Sequence, residues 1–218
     1  MQLAVEESLR GMDTAQNRLI LTVVGAVIFL ALVAYFVRAL KVRRAARRLH
    51  QGITSVSIEY LHNVLVPDGM GAVMHVDYLL LTSRGVVVID LRDQQGNIFG
   101  GDQMTQWTVM DGSRRATFQN PQHALYDRVA AVRALARELP VEGRILFTRN
   151  ARFPKGLPRW TLMVDSLRAE FPPVASDAGR AWIDRFREEW QAIANAVQPS
   201  PLRRRRGLLA EVFDERYS

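Results

Sequence analysis

Apolar and polar positions follow different rules in different parts of the chain. From Leu19 to Val37 the run LILTVVGAVIFLALVAYFV has only Thr22 as a polar interruption. As a helix rising 1.5 Å per residue, it just crosses a hydrocarbon core of ~30 Å. A buried core helix of this length would carry a polar face, and this run has none. The pattern predicts one transmembrane helix at 19–37. After it the pattern becomes that of strands. Ser55–Val66 is β-rich and closes at Pro67-Asp68-Gly69; Ala72–Thr82 and GVVVIDL follow, with Ser83-Arg84-Gly85 as a hairpin connection. Asn97–Gly101 breaks the pattern. Gln106–Met110 and Ala116–Phe118 read as a further strand pair. Asn120-Pro121 opens a helix in which Leu125, Val129, Val132, Ala136 and Leu139 recur at helical spacing until Pro140. Arg144–Thr148 is a buried strand, and a loop rich in Pro and Arg runs from Arg149 to Arg159. Ser176 or Asp177 caps a last helix with the stripe Trp182, Phe186, Trp190, Ile193, Val197.

Strands, then a helix, then a returning strand and a helix predict an α/β (α+β) domain with a small mixed sheet flanked by helices, preceded by one transmembrane helix. The expected organisation is a short extracytoplasmic leader at 1–18, the span at 19–37, a basic helical stalk at 38–54, a domain at 55–198 and a basic tail at 199–218. The soluble part, about 170 residues, is enough for one domain with a real core.

Charge changes this picture only at its edges. The chain carries +7, but Arg38, Lys41, Arg43, Arg44, Arg47 and Arg48 supply six positives with no acid among residues 38–48. Residues 49–218 hold 21 Lys+Arg against 19 Asp+Glu, and four of those cations are the run Arg203–Arg206. The body between flank and tail is slightly acidic, so the net charge is not a nucleic-acid footprint. Cations directly after the span place the N-terminus outside and the domain on the cytoplasmic side of an inner (plasma) membrane, where they also meet anionic lipid. The leader holds Glu6, Glu7 and Asp13 against Arg10 and Arg18, and the exit Tyr35-Phe36-Val37-Arg38 lacks small residues, so cleavage as a signal peptide is not expected. The absence of cysteine excludes disulfide scaffolds, zinc ribbons and thiol catalysis.

The candidate chemistry lies in the two central strands. MHVDYLLLT is apolar around Asp77, and GVVVIDLR is apolar until Asp90. Strand centres seldom hold Asp, because a buried charge is costly unless paired or metal-bound. If Arg84-Gly85 forms a two-residue turn, Ser83 faces Val86, Asp77 faces Arg92 and Leu79 faces Asp90. All four then share one face, and Asp77 and Asp90 are diagonal neighbours ~7–8 Å apart. A three-residue turn would send the two carboxylates to opposite faces. Two carboxylates plus a strand carbonyl, that of Leu91, suit Mg²⁺ or Mn²⁺, with a cation beside them for a phosphate oxygen or a transition state. A buried Asp77–Arg92 ion pair is the structural alternative. His75 alternates onto the face of Asp77 as a candidate substrate contact. His50, His62, His75 and His123 have no metal spacing, and Gly96–Gly101 lacks the Lys and helix of a P-loop.

The series HVDYLLLTSRGVVVIDLRDQQGNIFG, then Trp107, then Asn120-Pro121 at a helix start, resembles the nuclease-related domain family, NERD, over about Ile58–Leu167. That family is similar to a branch of the PD-(D/E)xK nuclease superfamily. The resemblance implies a restriction-endonuclease-like fold, a Mg or Mn cofactor and nucleic acid as partner. It gives Asp77 the first metal carboxylate, Asp90 the second acidic position, Arg92 the place of the catalytic Lys, and Asn120 and Gln122 substrate contacts. The chain departs from the family where it has Asp90 for Glu, Arg92 for Lys, and Ala124 for Gln. It also has Gln51-Gly52-Ile53 where the family tends to have Gly-Glu. Arg stays charged where Lys could deprotonate. Two readings follow: a membrane-held Mg/Mn-dependent phosphodiesterase with a degenerate active site, or an inactive nuclease-like binding or scaffolding module whose protein partner the sequence does not name.

Overall fold

A computed structural model describes the backbone of residues 2–173 and 177–201, and the side chains of 21–173 and 181–201. Leu202–Ser218 and Ser176, the tail and one proposed cap, lie outside the described residues. The chain divides into two compact units, Met1–His50 and Gln51–Ser218.

The first unit is helical. Helix α1 (Gln2–Thr54) is continuous through the apolar run and the basic stretch 38–48. From Leu21 onward it is long and apolar enough to cross a membrane, with mean hydropathy 2.4 and no part of its apolar window buried. Leu21, Phe29, Tyr35 and Phe36 are all exposed.

The second unit is mixed α/β. Strands β1 (Glu59–Pro67), β2 (Val73–Thr82) and β3 (Gly85–Arg92) form an antiparallel meander. Then come β4 (Gly96–Phe99), β5 (Gln106–Asp111) and β6 (Arg114–Gln119), and helix α2 (Pro121–Leu135). The chain returns through β7 (Val141–Phe147), β8 (Ala151–Arg152) and β9 (Thr161–Met163). It ends in helices α3 (Leu167–Glu170), α4 (Asp177–Arg185) and α5 (Arg187–Ala196) and strand β10 (Gln198–Pro199). One six-stranded sheet has the order β10-β1-β2-β3-β7-β9, and a four-stranded sheet has the order β6-β5-β4-β8. Both are mixed: β3 and β7 run parallel, as do β7 and β9, and β4 and β8. A parallel β3–β7 pair requires a crossover, which α2 supplies.

The core lies under α2. Leu79 and Leu81 of β2, Val86 and Val88 of β3, and Ile145 and Phe147 of β7 cluster with Leu125, Val129 and Val132 of α2 and with Trp190 and Ile193 of α5. Gly143 makes this packing close, because a Cβ there would fall 2.7 Å from Val129 Cγ2. The indole of Trp190 donates to Glu59 Oε2 at 2.7 Å, tying α5 to the start of β1.

Several elements differ from the sequence reading. β1 begins at Glu59, not Ser55, after a turn in which the Ser57 hydroxyl donates to the Thr54 carbonyl. The break at Asn97–Gly101 is largely strand β4; Ile98 is buried and pairs with Val109 of β5. Helix α2 stops at Leu135, where Ala136 turns extended, although Leu139 is still buried before Pro140. The last helix is two, split at Phe186, whose φ and ψ of −105° and 18° leave the helical region. Of its stripe, Phe186, Trp190 and Ile193 are buried, while Trp182 and Val197 are partly buried against the core; Ile183, outside the stripe, is buried as well.

Candidate functional site

The hairpin between β2 and β3 sets the geometry. Its tip is Ser83-Arg84, with Thr82 opposite Gly85, so the turn is one residue earlier than Arg84-Gly85. The Thr82 hydroxyl builds it, donating to the Gly85 carbonyl (2.9 Å) and accepting the Arg84 N–H (3.2 Å). Gly85 takes φ +125°, and a Cβ there would collide with the Pro140 carbonyl, so only glycine fits. The register Leu79↔Val88 and Tyr78↔Ile89 carries Asp77 to the position opposite Asp90, where the sequence reading had Arg92. A shift of two keeps parity, and Asp77, Asp90 and Arg92 share the face that α2 covers.

The sheet splays at Asp77. The β2–β3 ladder is regular as far as Tyr78↔Ile89. One step on, the Leu91 N–H donates to Asp77 Oδ2 at 2.8 Å, a carboxylate standing where a strand carbonyl would serve. On the other side the β1–β2 ladder runs through His62↔Tyr78 and Val64↔Val76. Asn63, between them, takes a left-handed φ of 56°, which Asn tolerates better than most residues. Its Oδ1 lies 2.8 Å from His75 Nε2, and its Nδ2 donates to the Ser200 carbonyl. His75 is half-buried.

Asp90, only 3% exposed, meets two cations. Arg92 donates from Nη2 at 2.8 Å and from Nε at 3.2 Å, both to Oδ2. Arg128 of α2 reaches the same oxygen from Nη1 at 3.4 Å, while its Nε donates to the His75 carbonyl at 2.7 Å. Both arginine side chains are only 14% exposed. Two buried carboxylates and two nearly buried guanidiniums therefore make a cluster of no net charge. Arg92 thus pairs with Asp90, its neighbour two positions back on β3.

This donor set does not fit a divalent ion as arranged. Asp77 Oδ2 accepts a backbone N–H, and Asp90 Oδ2 accepts from two guanidiniums. A doubly charged ion on Asp90, with a guanidinium ~4 Å away, would meet repulsion on the order of several kcal/mol at an effective dielectric near 20. Among the described residues no three His, Cys, Asp or Glu side chains gather closely enough to hold a metal.

Asn120 and Gln122 form a separate knot at the start of α2. Asn120 caps the helix, its Oδ1 accepting the Gln122 N–H at 3.0 Å. Its Nδ2 donates to the Met104 carbonyl (2.8 Å) and to Gln122 Oε1 (3.0 Å). Gln122 Nε2 donates to Asp102 Oδ1 and to the Arg159 carbonyl, both at 2.8 Å, and the Arg159 N–H donates back to Asp102 Oδ1 at 2.9 Å. The bond from Gln122, then the one from the Arg159 backbone, hold the Asp102 carboxyl below the usual carboxylate range. Both Asn120 and Gln122 are buried. They brace the 159–160 segment, with amide groups turned inward. An open pocket of about 290 Å³ adjoins this knot, lined by Asp102, Gln103, Gln122, His123, Tyr126, Arg159 and Trp160. Asp77, Asp90 and Arg92 do not line it.

The glycine-rich motif is structural. Gly96 has φ +106°. Gly100 lies against the Trp107 ring, whose Cε2 would be 2.7 Å from a Cβ there, and the Trp107 indole donates to the Gly101 carbonyl. Sequence reasoning missed Arg128, Asp102, Arg159 and Trp160. Arg128 left a trace, a cation three residues after Leu125 and four before Val132, on the edge of the apolar stripe. The other three left none.

The model of the nuclease-related domain family matches residues 38–148, slightly more than half of the chain. An uncharacterized protein of Bacillus anthracis is 26% identical over 95 residues, 44% of this chain and 45% of that protein. The chain thus spans about half the length of the curated relative it matches. No solved structure matches. Because that match covers more than half of its residues, the chain belongs to the nuclease-related domain family.

Proposed function

We propose that this chain is a membrane-anchored nuclease-related domain that engages nucleic-acid phosphodiesters and hydrolyses them weakly or not at all. The observation that carries this reading is the convergence of Arg92 and Arg128 on Asp90 Oδ2. Guanidiniums there meet the charge that a Mg²⁺ or Mn²⁺ ion would meet in an active relative. Arg, unlike Lys, does not give up its proton. The second reading is a metal-dependent phosphodiesterase in which an ion displaces the arginines. It is favoured by the β2–β3 register, which, continued one step past Tyr78↔Ile89, brings Asp77 towards Asp90.

Plasmid nicking with Mn²⁺, with and without chelator, separates the two. The wild-type chain is expected to nick slowly or not at all. Asp90→Glu restores carboxylate reach, Arg92→Lys a tunable cation, and Ala124→Gln a polar group on α2. Because such groups act as a unit, the triple variant gains most and single changes little. Adding Asp77→Ala must abolish the gain. Rapid chelator-sensitive nicking by wild type, lost in Asp77→Ala, establishes the second reading.

The anchor is the apolar part of α1, which satisfies its own backbone hydrogen bonds as a membrane span requires. The cations 38–48 favour an inner membrane with the domain on the cytoplasmic side. A reporter active only outside the cytoplasm, fused after Ser218, is expected to be silent; a strong signal refutes this orientation.

A further inference from the structure

The pocket at the start of α2 has the makings of a site for a planar ring. Trp160, at 36% exposure, and Tyr126, at 63%, both line it. The Arg159 guanidinium carbon lies 4.9 Å from the Trp160 ring centroid, a planar cation stacked on an indole. Trp160 has φ +60°, where a bulky residue is a genuine outlier. Three bonds hold this strained segment. The Arg159 N–H and carbonyl are clamped by Asp102 and Gln122, and the Trp160 carbonyl accepts the Ile145 N–H at 2.8 Å. A strained, partly exposed Trp over-determined by a buried amide knot is more than loop packing needs.

We propose that this pocket binds one nucleobase of a single-stranded nucleic acid, stacked in the Trp160–Arg159–Tyr126 group, with Asn120 and Gln122 as positioning residues that hold the 159–160 segment in place. Size supports a single base. At about 290 Å³ the pocket falls just short of the ~300–1,000 Å³ that drug-sized ligands occupy. The chemistry supports a base too. Every base has a π face, which makes aromatic stacking tolerant of sequence, and a guanidinium adds to such a stack. The Asp102 carboxylate at the rim offers an acceptor for a base edge. Arg152 at the end of β8 and Lys155 in the segment leading to Arg159 are both exposed cations available to flanking phosphates. This inference rests on the nucleic-acid reading above but assigns a separate site, outside the Asp77–Asp90 cluster.

Trp160 can report on its own occupancy. Of the four tryptophans, Trp107 and Trp190 are buried and Trp182 is partly buried, so quenching by a stacked base falls mainly on Trp160. The full chain in detergent micelles is titrated with a twelve-nucleotide oligothymidylate, with an abasic oligomer of equal length, and with thymidine monophosphate. The expected result is quenching by the first and weaker binding of the abasic strand. Measured by anisotropy of end-labelled strands, which does not depend on Trp160, Trp160→Gly or Tyr126→Ala should each lose roughly 5-fold or more in affinity, the order of one base–aromatic stack. Tyr126→Ala alters an exposed side chain, so it tests the site even if Trp160→Gly fails to fold. If both strands bind equally and neither variant matters, the pocket is refuted while phosphate binding stands. If thymidine monophosphate quenches but the strands do not bind, the pocket stands and the polymer reading falls. If nothing binds the folded wild type, both fall.

Discussion

Two polar clusters hang on helix α2, and they differ in what they leave available. Arg128 ties the middle of the helix to Asp90, while Asn120 and Gln122 tie its first turn to Asp102 and the 159–160 segment. In the first cluster the charges answer one another inside the fold: Asp90 is 3% exposed and both arginines 14%. In the second the bracing amides are buried but the groups they present, Arg159, Trp160, Tyr126 and His123, face solvent. The two sets of polar residues therefore serve different ends in this chain. The strand aspartates hold the sheet together where it splays, and the Asn-Pro-Gln start of α2 builds a surface that a ligand can reach. Two carboxylates placed on neighbouring strands need not form a metal site, whereas a pocket can form from residues that no local pattern marks.

The largest expected effect breaks the first cluster. Asp90→Ala strands two guanidiniums in a nearly dry site, and removing one partner of a buried ion pair costs about 3–5 kcal/mol. Denaturant melts of wild type and variant measure it. Replacing Asp90, Arg92 and Arg128 together by leucine, with Asp77→Asn so that no buried charge is left unpaired, should recover most of that loss, because an uncharged set of similar volume is often neutral. Metal gives the sharper test. Millimolar Mn²⁺ should leave the wild-type melting temperature unmoved, whereas removing both arginines should let Mn²⁺ raise it by binding the folded state. A wild type that Mn²⁺ stabilises would show the arginines to be displaceable and would erase the contrast between the clusters.

How much of this was legible beforehand depends on how far apart in sequence the partners lie. Alternation located β2 and β3 and their shared face, because parity survives a register error of two. The error itself came from reading the turn by its glycine. Gly85 is needed beside the Pro140 carbonyl, a contact 55 residues away in sequence, while the turn is closed by the Thr82 hydroxyl. The helix start at Asn120-Pro121 was readable because capping is local. Arg128–Asp90 spans 38 residues and Gln122–Arg159 spans 37, and no local pattern encodes either. The left-handed Trp160 runs against local propensity, so the surrounding fold must impose it.

The second cluster can be tested through that conformation. Glycine normally destabilises relative to alanine by widening the unfolded ensemble. At φ +60° the order should reverse, because an L-residue there carries about 1–2 kcal/mol of strain that glycine lacks. Trp160→Gly is thus expected to be more stable than Trp160→Ala by about 1 kcal/mol. Both should lose base binding alike. If the alanine variant is the more stable, the residue is not held in this conformation, and the claim that the buried amides impose it fails.

The smallest effect expected is one of pH, and it separates the pocket from the rest of the surface. Gln122, and after it the Arg159 backbone, hold the Asp102 carboxyl below its ordinary value, so the folded state favours the ionised form. The stabilisation from this group is complete above the ordinary carboxyl range, near pH 4, and is lost as pH falls through the lower folded value. Glu170 behaves in the same direction, held low first by the hydrogen bond from Arg144. Acid melts run downward from about pH 5 follow the loss of both contributions. Asp102→Asn and Glu170→Gln should each flatten the fall in melting temperature on this limb. Only protonation at Asp102 should also release the Arg159 N–H and change Trp160 fluorescence, because Glu170 makes its bonds to Arg84 and Arg144 instead. If Trp160 emission titrates identically in wild type and in Asp102→Asn, the carboxylate does not hold the segment, and the bracing would rest on Gln122 alone.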